Sequence, residues 1–271
     1  MRTKRLRRAA RRIVDYLSAA HVDLRLWLTG KSDPELPPLR LRFVGVGDFR
    51  AVGKELASLL INVGKLHPSD RVLDIGCGVG RVAIPLTHYL DSDATYDGFD
   101  VVMRAIRWCQ RNITPRYPNF RFHHVDVANS EYRSRGVPAS DFRFPFADQS
   151  FDFAFATSVF THLVDDEMQQ YLRQTARLLA PDGRLLGTFF LLNDVSLASL
   201  GGRDQFNFPF VRGAMRLLDP DNPGVGVAIE QHAVLRMAAD AGLIVEQIEY
   251  GSWSGRPGAA TFQDAVVCRR A

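Results

Sequence analysis

From Arg71 onward, short apolar runs alternate with longer stretches whose apolar positions recur at helical spacing. "VLDI" (72–75) reads as a buried strand that breaks into a glycine-rich turn and feeds an apolar helix from Val82 onward. "TYDGFDVV" gives a second strand, "MRAIRWCQRNI" a helix, and "FRFHHVDVAN" a third strand. "SFDFAFATSVF" is almost unbroken in its apolar character, which suits a parallel strand covered on both faces. Acidic residues then open the helix "DDEMQQYLRQTARLL", and a Pro/Gly stop precedes the strand "RLLGTFFLLN". The helix "EQHAVLRMAADAG" and the strands "LIVEQIEY" and "TFQDAVVCRR" complete the series. Seven strands alternating with helices predict a doubly wound α/β domain, whose ligands belong at the carboxyl ends of the strands.

Two segments fall outside that rhythm. "SDPELPPL" (32–39) marks a linker, so residues 1–40 read as a helical arm and linker and residues 41–271 as the domain, which opens with a helix in "VGDFRAVGKELASLLINVGKLH". Residues 193–229 exceed an ordinary strand-to-helix connection and predict a lid over a substrate. Within that insertion Phe206, Phe208 and Phe210 alternate as a short strand would, or form a local cluster that closes the insertion.

Charge sharpens the division. Residues 1–12 hold seven of the 34 basic residues and no acid, which leaves 27 basic against 30 acidic residues in the remainder. A slightly acidic body argues against a nucleic-acid partner. The arm has no apolar core of a secretory signal, and its Leu6, Ala9, Ala10, Ile13, Val14 and Leu17 recur at helical spacing. That pattern permits weak contact with an anionic membrane surface, against the plainer reading of a solvated terminal helix. Cys77, Cys109 and Cys268 are widely spaced and odd in number, which predicts a reducing, cytoplasmic setting. Arg104, Arg107 and Arg111 share one helix face and read as a solvated stripe.

The turn "VLDIGCGVGR" raises the question of cofactor. Gly78, Gly80 and Ala83 satisfy the spacing of a dinucleotide loop, so glycines alone decide nothing. Asp74 discriminates better: a carboxylate directly before the loop repels a pyrophosphate and attracts the ammonium and sulfonium of S-adenosylmethionine, whose own carboxylate can use free turn N–H groups. Asp100, twenty residues past Gly80, sits where an acid takes the hydroxyls of a ribose, and Asp126 ends the third strand where it could accept from an adenine amino group.

"VLDIGCGVGRVAIPL", "YDGFD", "FHHVDVAN", "FDFAFATSVFTHL" and "LLAPDGRLLGTFF", in this order, resemble the class I S-adenosylmethionine-dependent methyltransferases over about residues 50–268. The resemblance implies a Rossmann-like, mostly parallel seven-stranded sheet whose final strand runs antiparallel. It implies that Asp74, Gly76, Gly78 and Gly80 frame the methionyl part, that Asp100 takes the ribose, that Asp126 and Val127 border the adenine, and that Thr157 and Ser158 line the site below the sulfonium. The bacterial enzymes acting on sugars and other small hydroxylated molecules are the most similar branch.

The [DNS]-P-P-[YF] element of many nucleobase and glutamine N-methyltransferases is missing where "ATSVFTHL" stands, which argues against exocyclic-amine chemistry on DNA. Asp165, Asp166, Asn193 and Asp194 are only loose candidates for a metal-binding carboxylate cluster, and Asp165 and Asp166 are better read as helix-start residues, so no metal is expected. His162 follows the fourth strand and is the candidate general base for a hydroxyl acceptor, with a helix-cap or pocket-wall role as its alternative. His123 and His124 point to opposite faces of a strand and read as structural, and Trp253 and Tyr250 read equally as packing or substrate contacts. The expectation is O-methylation of a small molecule, with methylation of a small amine, or cofactor binding without catalysis, as the rivals.

Overall fold

A computed structural model describes residues 16–42, 47–128, 136–200 and 205–271. The chain runs through helix α1 (16–28), a 3-10 turn at Leu39–Leu41, α2 (Phe49–Asn62), β1 (Arg71–Ile75), α3 (Ala83–Leu86), β2 (Thr95–Asp100), α4 (Met103–Asn112), β3 (Phe120–His124), β4 (Val127–Ala128) and β5 (Val137–Pro138). It continues through β6 (Phe151–Ala156), a 3-10 turn at Phe160–His162, α5 (Asp165–Leu178), β7 (Leu179–Phe189), β8 (Leu191–Leu192), α6 (Asp194–Ser199), β9 (Phe210–Arg212) and β10 (Met215–Leu217). Then come β11 (Val227–Glu230), α7 (Gln231–Asp240), β12 (Leu243–Glu249) and β13 (Asp264–Arg270).

Among the described residues seven strands form the main sheet, in the order β12-β13-β7-β6-β1-β2-β3. β1, β2, β3, β6 and β7 are parallel to their neighbours in that set, and β13 runs antiparallel to both β7 and β12. The chain moves outward from β1 to β3 and then returns to place β6 on the other side of β1. The carboxyl ends of β1 and β6 therefore flank the point where strand order reverses, which opens a crevice there.

Alternating side chains explain why the sheet is buried twice. Phe153 and Phe155 of β6 pack with Leu60 and Ile106 beneath α2 and α4, whereas Ala154 and Ala156 face Leu172 and Val234 beneath α5 and α7. Small residues on one face and large ones on the other let helices approach both sides. Asp48 accepts the N–H of Ala51 at 2.7 Å and caps α2.

Three details go beyond what the sequence pattern conveys. The helix after the glycine turn is a four-residue α3, because Pro85 lies within it and Thr87 closes it. Phe206, Phe208 and Phe210 do not form one strand: Phe206 and Phe208 have φ of 56° and 38°, and only Phe210 enters β9. Phe206 and Phe208 instead pack on Phe190 and Trp253 as a separate core, the local cluster named as the alternative. The insertion also carries structure that periodicity missed, a small sheet in the order β8-β11-β10-β9, hidden by strands of two to four residues between glycines and prolines. The apolar spacing of the arm lies largely in residues 1–15, outside the described residues.

Candidate active site

The crevice holds ≈ 1040 Å³ of free space, open solvent included. Asp74, Gly76, Gly78, Asp100 and Val127 line it from β1, the turn, β2 and β4. Thr157, Ser158 and His162 line it from the segment after β6. Gly80 and Asp126 are not part of the lining: a Cβ on Gly80 would meet Ile113 Cδ1 at 2.7 Å, and Asp126 is exposed with its carboxylate against Gly136.

The three turn glycines do different work. All have positive φ, of 76°, 54° and 79° at Gly76, Gly78 and Gly80. A side chain at Gly76 would strike Val159 Cγ2 at 2.6 Å, whereas Gly78 faces open space. Gly76 and Gly80 thus permit close packing, and Gly78 leaves the crevice floor clear.

The turn does not aim its early N–H groups at a ligand as its sequence suggests. Gly76 and Cys77 both donate to the Phe99 carbonyl, at 2.9 and 3.0 Å, and Gly80 donates to Cys77 O at 3.0 Å. Gly78 donates to Asp100 Oδ2 at 2.9 Å, and Val102 to Asp100 Oδ1 at 2.7 Å. Asp100 therefore splints the turn while each of its oxygens keeps a further lone pair for a ligand. Donors already used and two carboxyls facing the same space disfavour a pyrophosphate.

Asp74 is 2 % exposed and lies on the sheet face that carries Tyr96, whose hydroxyl donates to Asp74 Oδ2. Burial pushes the Asp74 carboxyl up to about 8; the Tyr96 hydrogen bond pulls it down and Asp100 pushes it further up. Burial also raises Asp100, partly offset by its backbone donors. A cation in the crevice would satisfy the ionised forms of both, so the residues present fit a ligand that combines a ribose with an ammonium and a sulfonium.

At the other end, Ser158 has φ of 59°, a strained conformation for a residue with a side chain. Its N–H donates to Thr188 Oγ1 at 2.7 Å, and the Ser158 and Thr188 hydroxyls donate to Gln263 Oε1 at 3.0 and 2.7 Å. This network turns the chain downward after β6 and so places Ser158 and His162 at the crevice. His162 Nδ1 donates to the carbonyl of Gly224 at 2.7 Å. A carbonyl only accepts, so Nδ1 carries a proton.

Sequence reasoning missed Thr188, Gln263 and the N-terminal cap, because each meets the site through contacts distant in sequence. Leu41, Arg42 and Phe49 close the crevice from the amino-terminal side, with the Arg42 guanidinium 5.2 Å from the Phe49 ring centre. Trp253 proves to be packing: it is fully buried and its Nε1 donates to Asp264 at 2.6 Å. Tyr250 stacks under the Arg256 guanidinium at 4.1 Å. His123 pairs with Asp97 at 2.7 Å.

Residues 72–183 match a family model described as a methyltransferase domain. The 27-O-demethylrifamycin SV methyltransferase of Amycolatopsis mediterranei is 33% identical over 141 residues, 51% of this chain and 45% of that protein. The chain spans about half the length of the curated relatives it matches. Among solved structures, the PH0226 protein of Pyrococcus horikoshii superposes with a TM-score of 0.56 at 18% identity, over 85% of this chain and 95% of that one. The [4+2]-cyclase SpnF superposes with a TM-score of 0.54 at 17% identity, over 83% and 84%, so the fold alone assigns no reaction. The segment that matches the methyltransferase-domain model spans β1 through the start of β7 and contains the glycine turn and both crevice carboxyls.

Proposed function

We propose that the protein is an S-adenosylmethionine-dependent methyltransferase that methylates a hydroxyl of a small molecule, a sugar or another metabolite, with His162 as general base. When bound, S-adenosylmethionine supplies an electrophilic methyl group on its sulfonium. Asp74 and Asp100 would hold its cationic and ribose parts, with Gly76, Gly78 and Val127 shaping the walls and Thr157 and Ser158 the end near the acceptor. The reading for a hydroxyl rests on one observation: the Gly224 carbonyl orients the ring of His162, an imidazole on a crevice-lining residue where a general base would stand. A neutral hydroxyl is a weak nucleophile, and removing its proton as the methyl moves contributes roughly 10²–10⁴-fold. Holding the acceptor in line and excluding water contributes the rest, and the insertion at 193–229, which supplies Gly224, would act as the lid. The Amycolatopsis relative, a methyltransferase of 27-O-demethylrifamycin SV, supports the same class of acceptor.

Calorimetric titration with S-adenosylmethionine, followed by methyl transfer to a panel of hydroxyl and amine acceptors, tests the proposal. Binding with turnover of hydroxyl acceptors is expected. Turnover of amines alone would replace the hydroxyl reading, and binding without any turnover would make the protein a non-catalytic cofactor binder.

A further inference from the structure

Helix α1 (16–28) rests on the domain by one side only. Ala19, Ala20, Asp23 and Leu26 are half-buried, and Asp23 accepts the N–H groups of Leu39 and Arg40 at 2.6 and 3.2 Å, which ties the helix to the turn that closes the crevice. The other side is apolar and open: Leu17, Leu24, Trp27 and Leu28 are 61, 54, 68 and 68 % exposed. At about 100° per residue the three leucines fall within roughly 40° of one another and Trp27 flanks Leu24, so the four form one stripe. Single exposed leucines are ordinary, whereas a contiguous stripe that includes an indole marks a contact surface.

The charge around the stripe has one sign. Asp23 is the single acid of α1 and meets Arg40 at 2.9 Å, while Arg25 and Lys31 are exposed. The acids that follow are matched as well, Asp33 by Arg50 at 2.6 Å and Glu35 by Arg116 at 3.4 Å. Residues 1–15, which lead into the helix, carry seven basic residues against Asp15 alone. A partner must therefore cover an apolar stripe and supply negative charge beside it. A second copy of the chain brings no surplus acid, and a nucleic acid matches the charge but leaves the leucines in water. Among the described residues no helix is long and apolar enough to cross a membrane, so a lipid contact here is made at the surface.

We propose that α1 docks the protein on an anionic phospholipid surface, with Leu17, Leu24, Trp27 and Leu28 among the upper acyl chains and the basic residues at the headgroups. Apolar burial and headgroup attraction both contribute, and an indole suits the boundary between the two. Through Asp23 the docked helix sets the Leu39–Leu41 cap of the crevice beside the membrane. The inference stands on α1 and does not depend on the acceptor proposed above.

Cosedimentation of the full chain with vesicles of equal parts phosphatidylglycerol and phosphatidylcholine is the test. Binding is expected, with a blue shift of tryptophan emission that Trp27→Phe abolishes, since Trp253 is already fully buried. Leu24→Glu/Leu28→Glu should bind at least about tenfold more weakly and melt as the parent does, because both residues are exposed. Val195→Glu/Val211→Glu, also exposed, adds the same charge elsewhere and should leave binding intact. No binding, equal binding to phosphatidylcholine alone, equal binding by Leu24→Glu/Leu28→Glu, or equal loss in the control pair would overturn the proposal. So would a concentration-dependent dimer that Leu24→Glu/Leu28→Glu abolishes in sedimentation velocity, since it would assign the stripe to a second copy.

Discussion

His162 Nδ1 lies 2.7 Å from the carbonyl oxygen of Gly224, so a residue of the insertion orients the ring of the candidate base. His162→Ala is expected to keep cofactor binding and lose turnover at least about a hundredfold, with the pH-rate limb in the histidine range removed. Near-normal turnover with an unchanged pH profile would make His162 structural and favour an amine acceptor.

Asp100 holds the turn through Gly78 and Val102, and the proposed function gives it the ribose. Asp100→Ala should weaken S-adenosylmethionine binding by roughly 2–3 kcal/mol in a calorimetric titration, since it removes charge-assisted hydrogen bonds and leaves the Gly78 and Val102 N–H groups without their acceptor. Unchanged affinity would remove Asp100 from the site.

Asp74 makes the ligand-free protein sensitive to pH. Its folded value of about 8 lies above the ordinary carboxyl value of 3.8, so across that interval folding takes up a proton and stability falls as pH rises. Denaturant midpoints between about pH 5 and 7.5 should show this decline, and Asp74→Asn should flatten it by about one proton per molecule. An identical slope in the variant would show that Asp74 is ionised in the folded state.

The insertion has its own core. Phe208 is fully buried against Phe190 and Trp253, and Phe208→Ala should cost roughly 3–5 kcal/mol by thermal or chemical unfolding. Phe210, two residues on, is 45% exposed, and Phe210→Ala should stay within about 0.5 kcal/mol. Equal effects would contradict the cluster.

Residues 1–15 should be dispensable for turnover on a soluble acceptor, whereas Asp23 should matter. Asp23 accepts the N–H groups of Leu39 and Arg40 at 2.6 and 3.2 Å and so anchors the turn that brings Leu41 to the crevice. Asp23→Ala is expected to raise KM for the cofactor with kcat little changed. Turnover lost on removing residues 1–15 from a folded protein would assign active-site closure to the arm.

Strand periodicity made the main sheet legible, because each of its strands holds one face or both against a helix and leaves a long apolar signature. Spacing also led to Asp74, Gly78 and Asp100, since a strand end, a tight turn and the next strand end occupy fixed intervals in this topology. What a glycine faces was not legible. Gly78 and Gly80 look alike in sequence, yet one faces open space and the other is backed by Ile113 and Cys109. Asp126 likewise reads as a strand-end acid, but β3 stops at His124 and the chain turns before Asp126 reaches the crevice. The Ser158–Gln263 bond links residues 105 apart, and no local pattern encodes such a contact.

The placement of β13 bears on how the chain is assembled during synthesis. This strand, made after the other six of the main sheet, sits inside that sheet between β7 and β12. Until it is inserted, β12 has no neighbour and β7 presents a bare row of backbone donors and acceptors. Such an edge invites pairing with other nascent chains, and closing it depends on contacts across a long sequence separation. Loss of residues 264–270 would therefore leave an incomplete sheet prone to association, rather than a shortened but intact domain.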